Sequence, residues 1–420
     1  MTLSKTIVVS LATFTLLQAT TLKDIVESTL QKNDSITVAK LRYEQSKSEE
    51  SSVGNSFNPT INLGASYTRL DLDTRAVQVG STFVGFAKVA TNLYDGGRLS
   101  ASKEARRYAK EASKLSINST ERSTLLQVIS LYYSAKNMID EIEVFEKKSQ
   151  TLLAQYERVK TKYELKMTTE DEVLKLKSEY ETNEYLIEQF KYQKRELLAN
   201  LSLLSGMKVE SIENLNLPSV KELVYKESEN IEALNLQTKS AKANQKVVSA
   251  LKKPQLNIED RLSYYNYAEY NEKILSDLPE LQNALTLSLN YNLFDTTSNA
   301  KIQTAKIQTL ITSAQTALVK KQEKMVFELA KEKLHTQELK ISSLKTALDM
   351  GESVYEIIKV KYENGIVDNI AYLDALSKKI YNEALYKESL NEYEIAKATY
   401  YFSSGIDYRT LIKSWESRGK

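Results

Sequence analysis

LQNALTLSLNYNLFDTT, residues Leu281–Thr297, decides the fold. Leu281, Leu285, Leu287, Leu289, Tyr291 and Leu293 alternate with Gln282, Thr286, Ser288, Asn290 and Asn292. Successive side chains of a strand point to opposite faces, so this period of two predicts a strand with one apolar and one polar face. The strand closes in Asn292-Leu293-Phe294-Asp295-Thr296-Thr297, and that ending has been used before. Asn92-Leu93-Tyr94-Asp95-Gly96-Gly97 is its earlier copy.

Other pairs keep the same offset, roughly 195 to 200 residues, which marks an internal repeat. Asn58-Pro59-Thr60-Ile61-Asn62-Leu63 returns as Lys253-Pro254-Gln255-Leu256-Asn257-Ile258, and Lys162-Tyr163-Glu164 as Lys361-Tyr362-Glu363. Leu204-Ser205-Gly206 returns as Ser403-Ser404-Gly405. Two halves, 20–217 and 218–406, therefore meet at Pro218, with 407–420 as a tail. Each half runs helix, hairpin, long helix, return helix. The first has a helix near 22–52, hairpin 57–95, long helix 98–163 and return helix 169–206. The second has helix 221–252, hairpin 254–295, long helix 297–362 and return helix 368–404. Pro59 and Pro254 open the hairpins, and Pro279 lies inside the second. None interrupts a proposed helix, where it would cost about 3 kcal/mol.

The remaining strand segments repeat the dyad. Ile61, Leu63, Ala65 and Tyr67 alternate with Asn62, Gly64, Ser66 and Thr68; residues 77–94 and 256–270 are weaker, with Phe83, Phe86, Tyr264, Tyr265, Tyr267 and Tyr270. Apolar-out, polar-in segments with flanking aromatics are the signature of a transmembrane β-barrel. A soluble hairpin with one wet face shows the same alternation. Residues 1–19 favour the barrel. Lys5, the apolar stretch Ile7–Leu17 and small Ala19 read as a secretory signal peptide, too short to span a bilayer as a helix. In lipid, four strands cannot close on themselves, because the smallest barrels have about eight and open edges are forbidden. Strands in lipid thus require several copies of the chain.

The helices are long. Leu99 to Tyr163 contains no glycine or proline, and about 65 residues of helix would span roughly 100 Å. Val128, Tyr132, Ala135, Ile139, Ile142, Phe145, Leu152, Tyr156, Val159 and Tyr163 form one seam, with Ser149 in one place. The return helix continues through Val173, Leu176, Tyr180, Ile187, Phe190, Leu197, Leu201 and Leu204, again at coiled-coil spacing.

Composition removes most chemistry. There are 57 basic and 55 acidic residues, a net charge of +2, no cysteine and one histidine, His335. No basic field for nucleic acid exists, nor disulfides, thiolate metal sites or a cysteine nucleophile. Only 11 glycines and 4 prolines leave few places to turn. Gly96-Gly97 is followed by no Gly-Lys-Ser/Thr, so it is a bend from strand to helix and no phosphate loop. Glu49-Glu50 and Glu170-Asp171-Glu172 read as solvated helix ends, and His335 as a surface or tunnel-lining residue. No cofactor, resident metal or catalytic residue is expected.

Over its whole length the chain resembles the TolC-type outer membrane efflux proteins. Two motifs carry the resemblance. Asn92-Leu93-Tyr94-Asp95-Gly96-Gly97-Arg98 is similar to the family's strand-to-helix junction. Tyr362-Glu363-Asn364-Gly365 running on to Tyr372-Leu373-Asp374-Ala375 is similar to its periplasmic turn and inner pore helix. The resemblance implies a mixed α and membrane-β fold. Long antiparallel helices would build a helical barrel, and four strands per chain would join one shared 12-stranded β-barrel in a homotrimer. It implies a passive channel-tunnel for multidrug efflux or type I secretion, in the outer membrane of a Gram-negative bacterium with a large periplasmic portion. The expected partners are outer-membrane lipid, a periplasmic adaptor (membrane fusion) protein and an inner-membrane transporter of RND, ABC or MFS type. The turns would be adaptor-docking tips, at Tyr163, Leu165, Lys166, Met167 and Thr168, and at Tyr362, Asn364, Gly365, Ile366 and Val367. Asp374 and Asp368 would lie at the pore constriction, Asp368 with a helix cap as its other reading. Three copies of Asp374 would form a carboxylate ring that favours cations. Asp95, Gly96 and Gly97 would form the junction.

The chain departs from the family in three places. Ala371 stands where some members have a second aspartate, Ile366-Val367 where some have a basic residue, and the first tip lacks glycine. The competing function class is an exported coiled-coil tether or appendage protein without a pore. It explains the helical seams but not four alternating segments that are themselves duplicated.

Overall fold

The computed structural model describes residues 20–56, 58–70, 78–219, 222–269, 271 and 273–410. The signal-peptide reading of 1–19, and residues 411–420 of the tail, lie outside the described residues. The elements in chain order are α1 (Leu22–Lys32), α2 (Asp34–Asn55), β1 (Thr60–Arg69), β2 (Ser81–Tyr94), α3 (Arg98–Glu164) and α4 (Glu170–Ser205). They continue with α5 (Glu229–Ser249), β3 (Gln255–Ala268), β4 (Leu281–Asn290), α6 (Thr296–Glu363) and α7 (Asn369–Ser403). Among the described residues no helix is long and apolar enough to cross a membrane.

Two expected helices differ. The first breaks at Asn33, whose extended backbone separates α1 from α2. Its Oδ1 accepts from the Ile36 N–H at 3.1 Å and caps α2, while its Nδ2 donates to the Leu204 carbonyl at 2.8 Å. A long-range hydrogen bond thereby overrides local helical continuity. The helix expected from 221 begins only at Glu229, where the Ser228 hydroxyl accepts from the Ile231 N–H. The backbone before it is committed to α7: the Leu223 N–H donates to the Tyr400 hydroxyl at 3.0 Å and the Lys226 N–H to the Ser404 carbonyl at 2.8 Å.

The chain divides into two compact units that cut across the sequence halves. Of the described residues, one contains those within 1–37, 120–226 and 323–420; the other contains those within 38–119 and 227–322. The first unit is helical. Its larger core joins Leu22, Ile25 and Val26 of α1 to Val128, Ile129, Tyr132 and Tyr133 of α3, Leu201 of α4, and Ala398 and Phe402 of α7. A second cluster joins Val144, Leu152 and Val159 to Leu176, Tyr355, Tyr372 and Ile380. Each fully buried Val, Leu or Ile contributes about 1.5–3 kcal/mol. The seam residues Val128, Tyr132, Ala135, Ile142, Leu152 and Val159 are buried, whereas Tyr163, at the end of that rhythm, is exposed. Ser149, the polar member of the seam, is buried and donates to Glu184.

The second unit holds the sheet, flanked in sequence by α2, α5 and the first parts of α3 and α6. All four strands pair antiparallel in the order β1-β2-β3-β4. The β2–β3 ladder, Ser81↔Ala268 to Tyr94↔Leu256, unites the two hairpins. The register sorts the side chains. Ile61, Leu63 and Tyr67 share a face with Val89, Ala87 and Phe83, with Ile258, Leu262 and Tyr264, and with Leu287 and Leu281. Asp260 is an exception on that face, opposite Val89 and Leu285. Leu63 is 81% exposed and Leu285 72%. The helices of this unit meet through small residues and ion pairs. Ala101, Ala105 and Ala112 are buried, and the Ser240 hydroxyl donates to the Ala105 carbonyl at 2.9 Å. Glu49 and Glu50 are more than solvated residues, since they pair with Arg106 and Lys110, each at 2.6 Å.

Candidate functional site

The junction from strand to helix is built by Asp95. This residue is buried, and its Oδ1 accepts from the Gly97 N–H at 3.1 Å and its Oδ2 from the Leu99 N–H at 2.7 Å. A carboxylate on the first free N–H groups of a helix satisfies them and complements the macrodipole. Gly96 and Gly97 have φ of 72° and 84°, the left-handed region that favours glycine. At Gly96 space is restrictive too: a Cβ would lie 2.7 Å from the Lys253 Cβ and 3.1 Å from the Ala250 carbonyl oxygen. The second copy of the junction keeps the acid without the glycines. Asp295 accepts from the Ser298 N–H at 3.2 Å and from its hydroxyl. Those two donors hold its carboxyl below the usual range.

The two tips are one turn made twice. At the first, the Met167 N–H donates to the Lys162 carbonyl and the Lys166 N–H to the Tyr163 carbonyl, both at 2.8 Å. At the second, the Ile366 N–H reaches the Lys361 carbonyl at 2.8 Å and the Gly365 N–H the Tyr362 carbonyl at 3.0 Å. This pair of bonds is the Schellman ending of a helix, which needs a left-handed residue at its corner. Gly365 supplies it with φ 71°, and Lys166 with φ 59°. The missing glycine of the first tip does not change the turn. Leu165, Met167 and Ile366 are exposed, each about two thirds. The Thr168 hydroxyl donates to Glu172 at 2.6 Å, and the Asn364 side-chain amide to the Val360 carbonyl at 2.7 Å. Val367 is half-buried.

The two aspartates take different places. The Asp368 Oδ1 accepts from the Ala371 N–H at 2.9 Å and caps α7. Asp374 lies on the exposed side of α7 and pairs with Lys378 at 2.9 Å, both side chains facing water. Tyr362 stacks on the buried Tyr372 ring at 4.8 Å, and Arg158 lies 5.9 Å over Tyr362. Burial raises the titration of both phenols. Lys378 was legible as an i, i+4 partner of Asp374. The interior role of Tyr372 was legible only in part, from the tyrosine spacing at 355, 362 and 372. His335 is exposed beside Glu338 at 3.9 Å. Among the described residues no group of three or more His, Asp or Glu is arranged to hold a metal.

Comparison with known proteins bears on the whole arrangement. Residues 25–207 match the family of outer membrane efflux proteins, as the sequence motifs implied. No curated protein matches the chain by sequence. Its fold is similar to the outer membrane protein VceC of Vibrio cholerae, with TM-score 0.80 at 15% identity over 91% of this chain and 96% of that one. It is similar also to the CmeC outer membrane channel of Campylobacter jejuni, with TM-score 0.81 at 15% identity over 95% and 89%. The MtrE outer membrane channel of Neisseria gonorrhoeae, in its open state, gives 0.76 at 16% identity over 91% and 88%. At such identity the likeness is one of fold.

Proposed function

We propose, from the premise that this chain shares its first half with the outer membrane efflux proteins and its fold with outer membrane channels, that it is one third of an export duct. Three copies would join their sheets into one 12-stranded barrel in the outer membrane of a Gram-negative bacterium, and their helices into a periplasmic tunnel. The single observation that carries this is the sheet. Among the described residues it is antiparallel and open at both edges, β1 and β4, with one largely apolar face exposed. An unpaired edge costs several kcal/mol per backbone group in lipid, and closure with other copies removes it. The exposed apolar residues of α6, such as Leu310, Leu318, Met325 and Leu329, equally call for cover by another chain.

Conduction is passive in this reading. Solute enters from a periplasmic adaptor seated on the tips, fed by an inner-membrane transporter of the RND, ABC or MFS type. Asp374, placed three times around the axis, would ring the constriction, and Asp368 would hold the start of the same helix. Docking would splay the tip helices and widen the ring. The test is planar-bilayer conductance of the purified protein with its mass determined in the same preparation. Three chains with small, divalent-sensitive steps support the duct. A monomer or dimer that never conducts overturns it, and the exported coiled-coil tether takes its place.

A further inference from the structure

The polar face of the sheet carries an unusual pairing. Lys88 of β2 and Arg261 of β3 are direct cross-strand partners, in one row with Asn62 of β1 and Ala284 of β4. Like charges directly opposite one another destabilise a strand pair. An acid opposite Lys88 would serve stability better. Instead, Lys88 turns to Glu259, whose carboxylate lies 3.2 Å away. Arg261 has no carboxylate partner among the described residues. Its guanidinium lies 4.1 Å from the centroid of the Phe86 ring, and its Nε donates to the Ser263 hydroxyl at 3.2 Å.

The seat for this arginine is built on purpose into the neighbouring strand. Phe86 faces Gly64 in the register, and any Cβ at Gly64 would lie 2.5 Å from the Phe86 Cζ. Glycine in a strand interior marks such a close approach, and it weakens the strand. Two costs, the opposed cations and the interior glycine, thus keep one unneutralised guanidinium and one aromatic ring on the polar face. Lys88, Glu259 and Arg261 are the charged residues among that face's paired positions, so each sheet carries one net positive charge there. Most of its other members are polar or aromatic, such as Ser66, Thr286 and the stacked pair Tyr265–Tyr267, with Val84, Ala90 and Ala284 as small aliphatic exceptions.

We propose that Arg261 on Phe86 is a binding point in the barrel lumen for anionic solutes that carry a flat apolar part. This rests on the duct reading, in which the polar face lines the lumen and three copies form a ring. The fork of a guanidinium matches carboxylate, sulfonate and phosphate oxygens, and rings of arginine serve anion passage. Phe86 adds a face on which an aromatic group of the solute stacks beside the anion. The sign is opposite to that of the Asp374 ring, so the barrel and the tip would select at different stages.

The test is sided block of single-channel current in planar bilayers at low salt. Pyrene tetrasulfonate is added on the barrel side, with inorganic tripolyphosphate as the anion without a ring and spermine as the cation. Pyrene tetrasulfonate should block the wild type. The half-blocking concentration should rise about tenfold in Arg261→Gln and further in Arg261→Glu, and less in Arg261→Lys, where the charge remains. Phe86→Leu should weaken block by pyrene tetrasulfonate while leaving that by tripolyphosphate, and spermine should not follow the series. Equal block of wild type, Arg261→Gln and Phe86→Leu overturns the inference while the duct stands. A wild type that never conducts overturns both. Should Arg261→Glu fail to assemble, Arg261→Gln and Phe86→Leu carry the comparison.

Discussion

Lys166 and Gly365 occupy the same left-handed corner of two equivalent helix endings, with φ of 59° and 71° and the same pair of closing hydrogen bonds. Only one of them is free of steric penalty. A residue with a Cβ in this conformation costs about 1–2 kcal/mol. Lys166→Gly should therefore stabilise the first tip by about 0.5–1 kcal/mol, part of the gain being returned as unfolded-chain entropy. Gly365→Lys should cost about 1–2 kcal/mol at the second. Hydrogen exchange of the amides at 165–167 and 364–366 would register both changes; slower exchange in Lys166→Gly is the expected result.

Asp374 and Lys378 neutralise each other on an exposed face at 2.9 Å. If three aspartates ring the constriction, Asp374→Ala should raise resting conductance or weaken block by divalent cations. Lys378→Ala, which frees the carboxylate, should strengthen that block. Unchanged conductance and block in both variants would remove Asp374 from the gate.

Gly96 is constrained by conformation and by space, Gly97 by conformation alone, since nothing lies within 4 Å of its Cβ position. Gly96→Ala should accordingly destabilise the second unit more than Gly97→Ala. About 1–2 kcal/mol is expected from backbone strain in each, with the clash against Lys253 added at Gly96. Thermal denaturation of the two variants side by side would order them.

The link between the halves is fastened at Leu217 by a buried ion pair. The Glu394 carboxylate accepts from the Leu217 N–H at 2.8 Å, Lys397 donates to the Leu217 carbonyl at 2.9 Å, and the two charges lie 2.8 Å apart. Both side chains are less than 10% exposed. Glu394→Ala strands a buried ammonium and should cost about 3–5 kcal/mol. A Glu394→Gln, Lys397→Met double variant should recover part of the loss, because the amide still meets the Leu217 N–H while no lone charge remains. A double variant as unstable as Glu394→Ala would contradict this account.

Glu141 has its carboxyl pushed up by burial first and by the Glu388 charge second, and Asn137 donates to it at 3.1 Å. A carboxyl that holds its proton more tightly folded than unfolded favours the fold at low pH. That contribution is lost as pH rises from the unfolded value through the folded one. Glu141→Gln should therefore resist thermal unfolding better than wild type at pH 8, with the difference closing toward pH 4. Glu143 has the opposite sign, lowered by hydrogen bonds from Lys147 and Lys387. Its contribution is present above the unfolded value and fades as pH falls, so Glu143→Gln should lose stability near neutrality.

Much of this protein is local in origin, and the sequence alone determined it. Alternation at Leu281–Leu289 needs only the period of an extended chain, and the seam from Val128 to Val159 only that of a helix. Asp295 and Asp368 sit directly before their helices, and Asp95 three residues ahead of Arg98, where capping is a matter of near neighbours. What tertiary structure decided is nonlocal. Asn33 breaks a helix because the Leu204 carbonyl takes its amide. Residues 223–226 leave the helical state because Tyr400 and Ser404 take their N–H groups. Above all, the register of β2 on β3, which sets Arg261 against Lys88 and sorts apolar from polar across both halves, joins residues about 170 positions apart. No periodicity within either strand reports such a pairing, because the ladder bonds that fix it exist only once both hairpins are side by side.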